Sequence, residues 1–223
     1  MTEVEPYPFE RPLTVCIDIK NPHAYLAKDL IYQLEDDLGL QADWLPYLVP
    51  SMSAPSAPEA SDDRGTRHRR HRARYVERDI QRYAALRGLV IRDIHRQVDS
   101  SVAALGLLHV RDADPAHRRR FIDAMFSGYW EGRLDIEDPA AMAELLGEAG
   151  ADAWADLGAG LAAGRLELEA LQARLAVAGI FNVPALVVGD VVDGVNEPEI
   201  FYGRAHLPMI RWLLQGQLGP PPI

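Results

Sequence analysis

Leu13-Thr14-Val15-Cys16-Ile17-Asp18-Ile19 runs almost directly into Asn21-Pro22-His23-Ala24-Tyr25-Leu26, and this stretch organises the whole reading. In the first part Val15, Ile17 and Ile19 alternate with Thr14, Cys16 and Asp18, which is the period of a strand with at least one buried face. In the second, asparagine precedes proline. That pair predicts a helix start, with Asn21 as the cap and Pro22 at the first helical position, where its missing N–H costs nothing. Tyr25, Leu26, Leu30 and Leu34 carry the helix to Gly39, which suits its stop. A short strand is expected over 42–48, so the chain opens β-α-β.

Downstream, 50–65 is rich in Ser, Pro, Ala and Asp and reads as a connector. A block of helices follows. Tyr75, Val76, Ile80, Tyr83 and Leu86 keep helical spacing up to Gly88. Asp99, Asp114-Pro115 and Asp138-Pro139 supply three further capping signals. The helices they open carry Val102, Leu105 and Leu108, then Phe121, Met125 and Phe126, then Met142, Leu145 and Leu146. Another helix is expected over 166–178, ending at Gly179. The tail returns to strand character: Ala185 to Val188, a turn at Gly189-Asp190, a partner strand at Val191-Val192, and a last helix over 205–214. The order predicts an α/β thioredoxin-like fold with a large all-helical insertion. Residues 11–65 and 179–218 form the sheet-bearing part, and 66–178 form the insertion.

Composition narrows the function classes. The 223 residues are 48% hydrophobic and 25% charged, enough for a sizeable core. There is no run of eighteen apolar residues, and the first twelve hold Glu3, Glu5 and Glu10 without an apolar stretch. A membrane span and a secretory signal are therefore not expected, and a cytoplasmic location is. The net charge of -10 argues against a general nucleic-acid binder. Arg67, Arg69, Arg70, Arg72 and Arg74 oppose that average and read either as a solvated helix entrance or as an anion site. Cys16 is the sole cysteine. It rules out an internal disulfide and a four-cysteine zinc site, and no metal site is expected.

Six segments in order resemble the 2-hydroxychromene-2-carboxylate isomerases and kappa-class glutathione transferases of the DsbA superfamily. Asp18-Ile19-Lys20-Asn21-Pro22-His23-Ala24-Tyr25-Leu26-Ala27 is similar to that family's Asp-Phe-x-Ser-Pro-x-Ser-Tyr-Leu-Ala. Arg74 to Arg82 resembles its first insertion helix. Asp99-Ser100-Ser101, and Tyr129-Trp130 leading to Asp135-Ile136-Glu137-Asp138-Pro139, also fit. Gly179-Ile180-Phe181-Asn182-Val183-Pro184 is similar to its Gly-Val-x-Gly-Val-Pro. Phe201-Tyr202-Gly203 stands where Phe-Trp-Gly is usual.

The resemblance implies a glutathione-linked isomerase or transferase acting on a small organic substrate, with a homodimer as the expected assembly. It also implies a cis bond at Val183-Pro184, whose flanking backbone groups would pair with an extended ligand. Asn21 takes the place of the family serine that holds the glutathione thiolate, and an amide N–H can donate there too. With His23 as a candidate base, these are the expected catalytic residues. Pro22, Arg72, Val183, Pro184 and Arg204 are the expected cofactor-binding ones. The family aspartate after Phe-Trp-Gly is replaced by Ala205. A non-catalytic binding protein on the same fold is therefore the alternative. Dithiol exchange needs a cysteine at the helix start and is excluded.

Overall fold

The computed structural model describes residues 4–59, 62–150, 157–189 and 198–222. The elements follow in order as β1 (Leu13–Ile17), α1 (Pro22–Leu38), β2 (Asp43–Pro46), α2 (Arg64–Leu86), α3 (Ser101–His109), α4 (Pro115–Trp130), α5 (Pro139–Glu148), α6 (Leu157–Val177), β3 (Ala185–Val188), β4 (Glu199–Tyr202), a 3-10 turn (Arg204–His206) and α7 (Leu207–Leu214). The four strands lie in the order β2-β1-β3-β4. β1 is parallel to β2 and antiparallel to β3, and β3 is antiparallel to β4. Helices α2 to α6 all fall between β2 and β3, so the fold is thioredoxin-like with a helical insertion.

The central strand is buried on both faces. Leu13, Val15 and Ile17 join the larger core with Leu26 and Ile31 of α1, Ile210 of α7 and aromatic residues of α4. Cys16 points the other way, against Leu175 near the end of α6 and Ile180. A strand covered on both sides carries apolar residues at every position rather than at alternate ones. Beyond β1 the chain leaves the sheet at Asp18, two residues earlier than the alternation suggests. Asp18 is buried; its carboxylate accepts the N–H of Val49 at 2.9 Å and of Lys20 at 3.2 Å. Burial raises its pKa, partly offset by the Lys20 ammonium. It ties the approach to α1 to the chain leaving β2.

α1 begins as its sequence dictates. Asn21 Oδ1 accepts the N–H of His23 at 2.9 Å and of Ala24 at 3.2 Å, and Pro22 occupies the first turn. Gly39 closes the helix at φ 63°, a left-handed conformation that glycine takes without a Cβ clash. Asp114-Pro115 and Asp138-Pro139 open α4 and α5 in the same way.

Elsewhere boundaries differ from expectation. Ser100, not Asp99, takes the cap position of α3, although the Asp99 carboxylate accepts both the N–H and the hydroxyl of Ser101 at 2.9 Å. α2 starts at Arg64 behind a cap from Asp63, and α6 begins nine residues before Leu166. The second strand of the tail is Glu199–Tyr202. Asp190, Val191 and Val192, where the turn and partner strand were expected, lie outside the described residues, as does Trp154.

Candidate active site

Strand direction alone brings the expected site together. β1 ends, β3 begins and β4 ends at the same edge of the sheet, because β3 runs against both neighbours. Asn21 follows β1, Val183-Pro184 precedes β3, and Gly203-Arg204 follows β4. The Pro184 carbonyl accepts the Gly203 N–H at 2.9 Å, locking two of these segments to each other.

Asn21 divides its carboxamide between two tasks. The oxygen is occupied by the cap, while the amide nitrogen has no hydrogen-bond partner among the described residues. It stands at the positive end of a 17-residue helix, where an anion is favoured. Pro22, behind it, is buried. His23 is half-buried, and its pKa is lowered, first by burial and then by the Arg204 guanidinium, with Asp79 acting in the opposite sense. The imidazole is therefore held towards its neutral form, able to take up a proton.

The Val183–Pro184 bond is cis. The Val183 N–H, expected to face a ligand, is instead taken by the Asn182 side-chain oxygen at 2.8 Å. Here the expectation needs correcting: a neighbouring asparagine satisfies the group that the resemblance left open. Next to it Phe181, 72% exposed, packs at a tilt against Tyr202 with ring centroids 4.2 Å apart. The Tyr202 hydroxyl donates to Gly179 O at 2.9 Å and holds that aromatic pair over the turn.

Arg204 lies over the Tyr83 ring at 4.0 Å, with a guanidinium nitrogen 3.9 Å from Asp79. Asp79 and Tyr83 were not singled out as site residues. They sit on α2, more than a hundred residues from Arg204; Asp79 falls within the Arg74 to Arg82 segment, but nothing in that segment points to Arg204. Arg72 is not brought into this group. It is exposed on α2, two helical turns or about 10 Å from Asp79, with no hydrogen bond or ion pair among the described residues. Of the basic run, Arg70 is the one that is buried. It donates to the carbonyls of Ser56 and Ala57 and pairs with Asp62 at 2.6 Å, pinning the connector to α2.

Cys16 is fully buried inside β1, and burial, with the Asp43 charge beside it, drives its thiol pKa far upward. An inert thiol of this kind cannot serve as a redox nucleophile. Among the described residues, no group of His, Cys, Asp and Glu stands together as a metal site. Nor is any described helix long and apolar enough to cross a membrane.

The model of the DSBA-like thioredoxin domain matches residues 13–211. The chain belongs to that family. Comparison with curated proteins finds no match. Among solved structures, this DSBA-like chain is similar to a 2-hydroxychromene-2-carboxylate isomerase, with a TM-score of 0.63 and 18% identity over 91% of this chain and 94% of the other. It is also similar to the cytosolic disulfide reductase DsbM from Pseudomonas aeruginosa, with a TM-score of 0.54 and 22% identity over 92% and 98% of the two chains. That reductase also has a structure with GSH, which matches with a TM-score of 0.53. At such identities these likenesses establish the fold. The DSBA-like domain here has Asn21 at its helix start, and its one cysteine lies elsewhere, within β1.

Proposed function

We propose that this DSBA-like protein binds glutathione at the α1 N-terminus and acts as an isomerase or transferase on a small organic substrate, without disulfide exchange. One observation carries the reading. The Asn21 amide nitrogen is left unpaired at a helix N-terminus, and the His23 imidazole two residues on is biased towards its neutral form by burial. An N–H donor in that place stabilises a thiolate, and the neutral base could accept the proton that the thiol gives up. The neighbour with GSH supports the ligand class by analogy of fold. The reading takes the protein to be cytoplasmic and dimeric, and Pro22, Val183 and Pro184 to shape the glutathione site.

The capped oxygen and the occupied Val183 N–H favour a second reading, a binding protein that performs no reaction. Both readings place the ligand at Asn21 and differ only in turnover.

Calorimetric titration with reduced glutathione tests the site. Wild type is expected to bind in the micromolar to low millimolar range, about 4 to 8 kcal/mol. Asn21→Asp keeps the capping oxygens but replaces the N–H donor with negative charge, so it should fold normally and lose glutathione. If Asn21→Asp binds as well as wild type, the ligand is not held there. Consumption of substrate in proportion to protein concentration would then separate the enzyme from the binding protein.

A further inference from the structure

Arg204 faces a second feature that the site above does not use. A groove of about 540 Å3 runs between α1 and α7, walled by Leu30, Leu34, Leu207, Trp212 and Pro220. That volume lies within the range of small-molecule sites. Leu207, Pro208, Arg211 and Trp212 of α7, with Gln215 at its C-cap, recur every three or four positions and so form one face, about 12 Å long. The Trp212 indole N–H donates to Gly219 O at 3.1 Å, which holds the chain carrying Pro220 and Pro222 along the groove as its outer wall.

The charges on this groove are unequal in their commitments. Arg211 is bound to Asp37 at 2.6 Å. Arg204 has only 21% of its side chain exposed, yet that side chain forms no hydrogen bond among the described residues, and its nearest carboxylate oxygen, on Asp79, is 3.9 Å away. Asp79 is already held by Arg82 at 2.7 Å. Two guanidinium groups therefore share one carboxylate, and one of them, Arg204, also lines the mostly apolar trough. A mostly covered guanidinium held only by a ring contact with Tyr83 and one long, shared ion pair can still take a ligand anion.

We propose that the α1–α7 groove binds an apolar monocarboxylate, its carboxylate on Arg204 and its hydrocarbon chain along Leu207 and Trp212. The length suits a medium-chain or aryl-substituted acid. Cationic ligands are repelled by Arg204, and neutral ones gain only the apolar contact. The inference concerns binding and does not require the Asn21 site to be catalytic.

The probe is decanoate, titrated into the full chain and followed by calorimetry and by tryptophan fluorescence, with decan-1-ol as the uncharged comparison. Decanoate is expected to bind at least tenfold more tightly than the alcohol. Arg204→Gln should reduce that affinity at least fivefold. Leu30→Asp, at an exposed position of α1, places a carboxylate in the trough and should abolish decanoate binding while glutathione binding persists. Equal affinity for acid and alcohol, a loss smaller than fivefold in Arg204→Gln with an unchanged circular dichroism spectrum, or no decanoate binding at millimolar concentration each overturns the proposal. Decanoate binding without any glutathione binding would sink the proposed function and leave the groove standing.

Discussion

Glu35 anchors the site-bearing helix and offers a test of how buried hydrogen bonds hold it. It lies on α1 and is 2% exposed. One carboxylate oxygen accepts the Ala42 N–H at 2.8 Å and the Trp44 indole N–H at 3.3 Å; the other meets Arg119 of α4 at 3.1 Å. Glu35→Ala strands two buried donors, together about 3 kcal/mol, and gives up the ion pair as well, so a loss of about 4 kcal/mol is expected. Glu35→Gln keeps a carbonyl oxygen for both donors and gives up only the ion pair. Arg119 is a quarter exposed and retains Asp36 at 2.8 Å, so that loss should be about 1 kcal/mol. The two variants should therefore differ by about 3 kcal/mol in urea unfolding, followed by far-ultraviolet circular dichroism. Equal losses for the two, to within about 1 kcal/mol, would refute the argument and make the ion pair with Arg119 the dominant contribution.

Two more outcomes follow from the same geometry. His23 has a folded pKa below its unfolded value near 6.5, so as pH falls through 6.5 the unfolded chain takes up a proton that the folded site resists. Stability contributed this way is present above pH 6.5 and declines towards the lower folded pKa; His23→Gln should flatten the decline, and parallel pH–stability curves would contradict it. At Gly106 an added Cβ would lie 2.7 Å from Phe121 Cζ, a fully buried ring. Overpacking of about 1–3 kcal/mol, set against a helix-propensity gain of about 1 kcal/mol, predicts a net loss near 1 kcal/mol for Gly106→Ala. Thermal melts should show that loss vanish in a Phe121→Leu background, and its persistence there would exclude the clash as the cause.

The parts of the fold that were legible in the sequence are those dictated by local chemistry. Asn21-Pro22, Asp114-Pro115 and Asp138-Pro139 each state a helix start in two residues, and the chain obeys all three. α6 was harder because Gly158, Gly160 and Gly164 weaken the helical pattern. Tertiary packing prevails over propensity: a Cβ on Gly164 would stand only 3.1 Å from Leu105, so a small residue is what lets α6 approach α3. β4 has four residues with no fully buried side chain, which leaves no alternation to read. In the site, Asn21 and His23 follow from the helix start. Asp79 and Tyr83 do not, because their meeting with Arg204 depends on how α2 packs. The capture of the Val183 N–H by Asn182 depends on a side-chain rotamer, which no spacing rule reports.

The placing of β1 at the centre of the sheet bears on how the chain is made. Its parallel neighbour β2 emerges within about thirty residues, but β3 follows only after the whole insertion, about 170 residues later. At ordinary rates of translation the nascent protein spends on the order of ten seconds with one edge of β1 unpaired. An open apolar edge is a template for association with other chains. Helices of the insertion form from local contacts far faster than that interval. The insertion can therefore be packed before the strand it delays arrives, leaving β3 to close the sheet as a late and bimolecular-like docking within one molecule.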